Sequence, residues 1–108
     1  MLNVVLSTAP ADAAPAIAER IVSERLAACC NIVPKVESYY WWEGKVTHDA
    51  EALLIFKTPN ERVPELTRRL QEVHPYEVPE ILALDVASGL ESYLGWACAE
   101  ARPEGEQA

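Results

Sequence analysis

"ACCNIVPKVESYYWWEGKVTHDAEALLIFK", residues 28–57, reads as two β-rich runs folded back on each other at Glu43-Gly44, and this reading decides the fold. In the second arm Val46, Ala50, Ala52, Leu54 and Phe56 fall on one face, with Thr47, Asp49 and Glu51 on the other. Twelve residues from Val46 to Lys57 would span about 40 Å at roughly 3.3 Å each, far beyond a usual strand of about 5 or 6 residues. The tip is therefore expected to overhang the domain. It carries Tyr39, Tyr40, Trp41 and Trp42, more aromatic surface than one small helix-covered sheet can bury.

Outward from the hairpin, "NVVLST" (3–8) is a short β-rich run closed by Ala9-Pro10. Asp12 is positioned to cap a helix in which Ala14, Ile17, Ala18, Ile21, Val22 and Leu26 recur at helical spacing, with Pro15 in the first turn. After the hairpin, Asn60 can cap a second helix marked by Val63, Leu66, Leu70 and Val73 and stopped by Pro75. "ILALDV" (81–86) reads as a fourth strand. Ser88 and Glu91 have capping-box spacing ahead of a short third helix. The order βα, hairpin, αβ and terminal helix predicts an α+β, ferredoxin-like split βαβ subunit over residues 1–100, with 101–108 a frayed acidic tail. Two helices cover one sheet face, so the other face and the long hairpin call for a closed homo-oligomer.

Composition narrows the function. The chain has 108 residues, half of them apolar, and no apolar run approaching the roughly 20 needed to span a bilayer, so a soluble single domain with no membrane partner is expected. The opening lacks a basic region and a cleavage site, which makes the cytoplasm the expected compartment. Seventeen acidic against nine basic residues give a charge of −8, the wrong sign for holding a phosphate backbone, so nucleic acid is excluded as a partner. Three cysteines, Cys29, Cys30 and Cys98, without a CxxC pair argue against a disulfide framework and a zinc knuckle. No GxGxxG, P-loop or HExxH is present.

The chemistry-bearing residues each admit a plain reading. His74 ends the second helix, where it either caps or faces solvent, or serves as a ligand or acid/base group. Glu77 and Glu80, three apart in the proline-flanked "HPYEVPEI" (74–81), need not face each other. One of Cys29 and Cys30 is expected to face the core as a small hydrophobe. Lys45 and Lys57 could hold an anion, and the aromatic cluster suits a protein interface.

Four stretches go further: "RLAACCNIVP" (25–34), "YYWWEGKV" (39–46), "LLIFKT" (53–58) and "HPYEVPEILAL" (74–84). Together, and from the first strand to "YLGW" at 93–96, they resemble the CutA divalent-cation-tolerance family. The resemblance implies a homotrimer joined through long hairpins and sheet edges. It also implies a cytoplasmic role in tolerance to copper and other divalent cations, no enzymatic reaction and no obligatory cofactor. Because such trimers are similar in architecture to PII-type signalling proteins, a small-molecule sensor with a small anionic ligand in the inter-subunit cleft is the second reading, beside a structural or interaction trimer without metal-binding activity. The cleft residues carried over are Cys29, Trp42, Lys45, Lys57, Tyr76 and Glu77, with His74 and Cys29 as the metal candidates. Where some members with a proposed copper-ligand set carry a thiol before "TAP" and a second imidazole before "PY", this chain has Ser7 and Val73.

Overall fold

In the computed structural model, which describes residues 1–103 and 105, a four-stranded antiparallel sheet carries two helices on one face and a third helix on the other. The strands are β1 (Leu2–Ala9), β2 (Cys29–Trp42), β3 (Lys45–Pro59) and β4 (Leu82–Asp85), in the order β2-β3-β1-β4. The helices are α1 (Ala14–Ser23), α2 (Val63–Val73) and α3 (Glu91–Glu100). This is the predicted split βαβ arrangement with a C-terminal helix added.

The hairpin is the dominant feature. Its arms run 14 and 15 residues, and the molecule measures 49 × 26 × 22 Å. Glu43 and Gly44 take φ of 50° and 78°, so the two-residue turn has positive φ at both positions and matches the twist of the arms. Only β3 residues from Ala52 onward pair with β1, and the rest of the hairpin projects without a third strand. One extra residue at Pro34-Lys35 breaks the register between Val33 and Val36, a bulge suited to a proline that cannot donate to the ladder.

The core lies between the sheet and α1–α2: Val5, Ala9, Leu54 and Phe56 pack against Ile17, Ile21, Leu66 and Leu70. Cys30 and Ile32 pack on this cluster, which puts Cys29, Asn31 and Val33 on the outer face with α3. Helix α1 ends in a Schellman motif. Arg25, at φ 61°, and Leu26 donate to the Val22 and Ile21 carbonyls, and Leu26 then buries its side chain.

Several local expectations are corrected. None of the three helices has a side-chain hydrogen bond at its N-cap. Asp12 lies in a turn closed by Ala13 and Ala14 donating to Pro10. Asn60 opens a short 3-10 turn, and α3 starts from Leu90 rather than Ser88. Val46 and Ala50 are exposed, because the helices do not reach that far along the hairpin, whereas Glu51 is buried. The first two residues after 100 are held in place. Ala101 is fully buried and Arg102 donates to the Cys98 carbonyl, while the expected fraying of Glu104 and of residues 106–108 lies outside the described residues.

Candidate functional site

The sequence-derived residues fall at three stations along the outer face and edge of the sheet. At its base, Cys29 and Lys57 are register partners on neighbouring strands. Lys57 Nζ donates to Asn31 Oδ1, and the Cys29 Sγ lies 3.4 Å from the Tyr93 hydroxyl of α3. This hydrogen bond to Cys29, with burial second, raises the Tyr93 phenol above its ordinary value. Behind the same strand, burial pushes the Cys30 thiol up to about 11. The base is thus a half-open cluster of thiol, ammonium, amide and phenol, with Cys29 its soft donor.

The second station is the corner where β1 ends and the connector after α2 crosses toward β4. Pro75 forces extended backbone on His74, which takes φ −78° and ψ 139° and turns its ring back under the sheet. The ring is buried. Its Nε2–H donates to the Thr8 carbonyl at 2.8 Å and its Nδ1 accepts the Tyr76 N–H at 3.1 Å. Both nitrogens are therefore committed in one neutral tautomer, and neither lone pair points to a ligand. Two residues on, the Tyr76 hydroxyl donates to Glu51 Oε2 at 2.6 Å, and its ring stands 4.8 Å from that of His74. Burial and the Glu51 carboxylate hold the Tyr76 phenol well above its ordinary value. Glu77 is exposed beside them and makes none of these contacts.

The third station is the hairpin tip, where Trp42 and Lys45 pair across the turn on the outer face. Tyr40, on that face, donates to Asp49 Oδ2. Counting along β3, Lys57, Glu51 and Lys45 are spaced about 20 Å apart, at roughly 3.3 Å per residue. Cys29 and His74 do not meet within one chain, nor do Lys45 and Lys57. Among the described residues no group of three or more His, Cys, Asp or Glu is arranged to hold a metal ion. Ser7 faces the α1–α2 core opposite Leu54, away from the outer face, so the strand position that could have supplied a thiol is closed to it. Glu51, Tyr93 and Asn31 were not read from the sequence. Glu51 looked like one more polar strand residue, and Tyr93 gains meaning only once α3 lies over β2.

These features define a ferredoxin-like α+β subunit with an overlong hairpin, its polar groups spread along one sheet face instead of gathered in a single pocket. The chain belongs to the CutA1 divalent ion tolerance protein family, whose model matches residues 3–100. It is 50% identical over 97 residues to a divalent-cation tolerance protein CutA of Thermus thermophilus, covering 89% of this chain and 94% of the relative. A solved Cut A1 structure from that organism superposes with a TM-score of 0.87 at 48% identity, over 91% of this chain and 96% of the other. The chloroplastic protein CutA 1 of rice is 50% identical over 94 residues, 86% of this chain but 53% of the rice protein. A PII-like protein CutA from Nostoc, in apo form, superposes with a TM-score of 0.89 at 31% identity over 94% of this chain and 98% of its own. No helix among the described residues is long and apolar enough to cross a membrane.

Proposed function

We propose that the chain works as a homotrimer in divalent-cation tolerance, binding a cation weakly between subunits and catalysing no reaction. The observation that carries this reading is the outer sheet face. Val33, Tyr40, Trp42, Leu82 and Leu84 all stand exposed there, Leu82 at 54% and Leu84 at 51%, although a solvated sheet face is ordinarily polar. A cyclic assembly would cover that face and could bring one subunit's tip toward another's base or corner, which a single chain keeps apart. Of the two metal candidates, Cys29 is the better donor, while His74 acts by fixing the connector. Copper suits a thiol site, and no resident cofactor is required. Three free cysteines fit the reducing cytoplasm.

Light scattering on gel-filtered protein tests the assembly, and a monomer at micromolar concentration refutes it. Titration calorimetry with copper tests the site. Heat should fall in Cys29→Ser and persist in His74→Gln, and equal heats from wild type and Cys29→Ser remove Cys29 from it. A second reading, a small anionic ligand held in the same cleft, draws on the Lys57 ammonium standing next to Cys29 and Tyr93 and on the kinship with the PII-like protein. A thermal-shift screen of nucleotides and organic acids separates the two, since a ligand at 100 times its dissociation constant stabilises by about 2.7 kcal/mol.

A further inference from the structure

The projecting half of the hairpin has a second face, directed to the helix side but beyond the helices, and His48 sits at its centre. Its register partner is Tyr39, and the two rings stack at 4.2 Å with 7° between their planes. One step along the opposite arm, Glu37 Oε1 lies 3.0 Å from His48 Nε2. We propose that His48, Glu37 and Tyr39 form a proton-sensitive clasp across the hairpin, tightened when the imidazole becomes a cation. Since a carboxylate only accepts, Nε2 already carries its hydrogen in this contact, and the incoming proton goes to Nδ1. No existing hydrogen bond has to break. The charge gained converts a neutral hydrogen bond to Glu37 into an ion pair and sets a cation over the Tyr39 ring, both attractive.

The groups facing His48 from the other arm are Glu37 and Tyr39. On its own strand the flanking residues of this face are Val46 and Ala50, and the adjacent Asp49 points to the other face, where Tyr40 holds it. Among the described residues no helix packs against this part of the hairpin, and none brings a charge against Glu37 there. His74 is built the opposite way. A proton on its Nδ1 would meet the Tyr76 N–H, so the two histidines of the chain are not interchangeable sensors. The clasp stiffens the arm that carries the exposed aromatics, and it does so whether or not the chain assembles.

Amide hydrogen exchange on the intact protein, corrected for intrinsic rates, tests this at pH 8 and pH 5.5. Because an exposed ion pair is a weak interaction, protection across residues 37–41 and 46–50 should rise about two- to threefold at the lower pH in wild type. It should stay flat in His48→Gln, which cannot become a cation, and be reduced in Glu37→Gln, which loses the ion pair and keeps the cation over the Tyr39 ring. A flat wild-type response, a rise that survives His48→Gln, or one undiminished in Glu37→Gln, overturns the proposal.

Discussion

The hydroxyl of Ser7 is fully buried opposite Leu54 with no hydrogen-bond partner among the described residues, so it has lost water without a replacement there. Ser7→Ala should therefore raise stability by about 1 kcal/mol in urea unfolding. At the corner, the Tyr76 hydroxyl and the Glu51 carboxylate hold the connector to the hairpin, and Tyr76→Phe should cost about 1 kcal/mol at neutral pH. The pH dependence has a definite sign. The folded-state phenol titrates above its ordinary value, so its contribution is complete below about pH 10 and drains away as the pH rises past it. Melting temperature should accordingly fall more steeply above pH 9 in wild type than in Tyr76→Phe. At this scale the sequence was least informative. His74, Tyr76, Cys29 and Lys57 were visible as residue types, but whether an imidazole is a ligand or a clamp depends on Thr8 and the Tyr76 amide, groups with no signature in the string.

At the level of elements, the hairpin was legible because its strands alternate in hydrophobicity and because Glu43-Gly44 interrupts them. The order of strands and helices followed from those periods. Caps were not legible: Asp12, Asn60 and Ser88 are all good capping types, yet turns, a 3-10 segment and Leu90 occupy the entrances, and a side chain's preference yields to the path the chain must take. The bulge had a signal in Pro34, a residue that strands admit only at an edge or a bulge. The turn itself gives a prediction. A Cβ on Gly44 would meet nothing within 4 Å, so Gly44→Ala carries only the backbone cost of φ +78°. About 1 kcal/mol should be lost from the hairpin, read as faster exchange of its amides with the sheet core unchanged. Helices α1 and α2 are tied by Arg69, whose guanidinium grips both oxygens of Glu24 at 2.9 and 3.0 Å. That hydrogen bond holds the Glu24 carboxyl below its ordinary value, so its stabilisation is present above the usual carboxylate range and is lost as the pH falls through the lowered value. Glu24→Gln should flatten that acid limb of the melting profile.

For the molecule as a whole, charge and apolar surface oppose each other. Every copy brought into an assembly adds another −8, while the exposed outer face favours contact. Sedimentation at 20 and 300 mM salt should show tighter association at the higher ionic strength, where repulsion beyond about 10 Å is screened. Which aromatic takes part in such a contact is decided far from the tip. Along β2 the outward positions are odd-numbered up to Val33 and even-numbered from Val36, because the single unpaired residue near Pro34 shifts the alternation by one step. With the bulge straightened and every residue kept, Tyr39 and Trp41 would replace Tyr40 and Trp42 on the outer face, whereas with Lys35 deleted the alternation would run unbroken from Val33 to Val36 and Tyr40 and Trp42 would stay there. The hairpin thus behaves as a two-sided key whose orientation is set at its shank, and arms lengthened by two residues would still present the same side where arms lengthened by one would not.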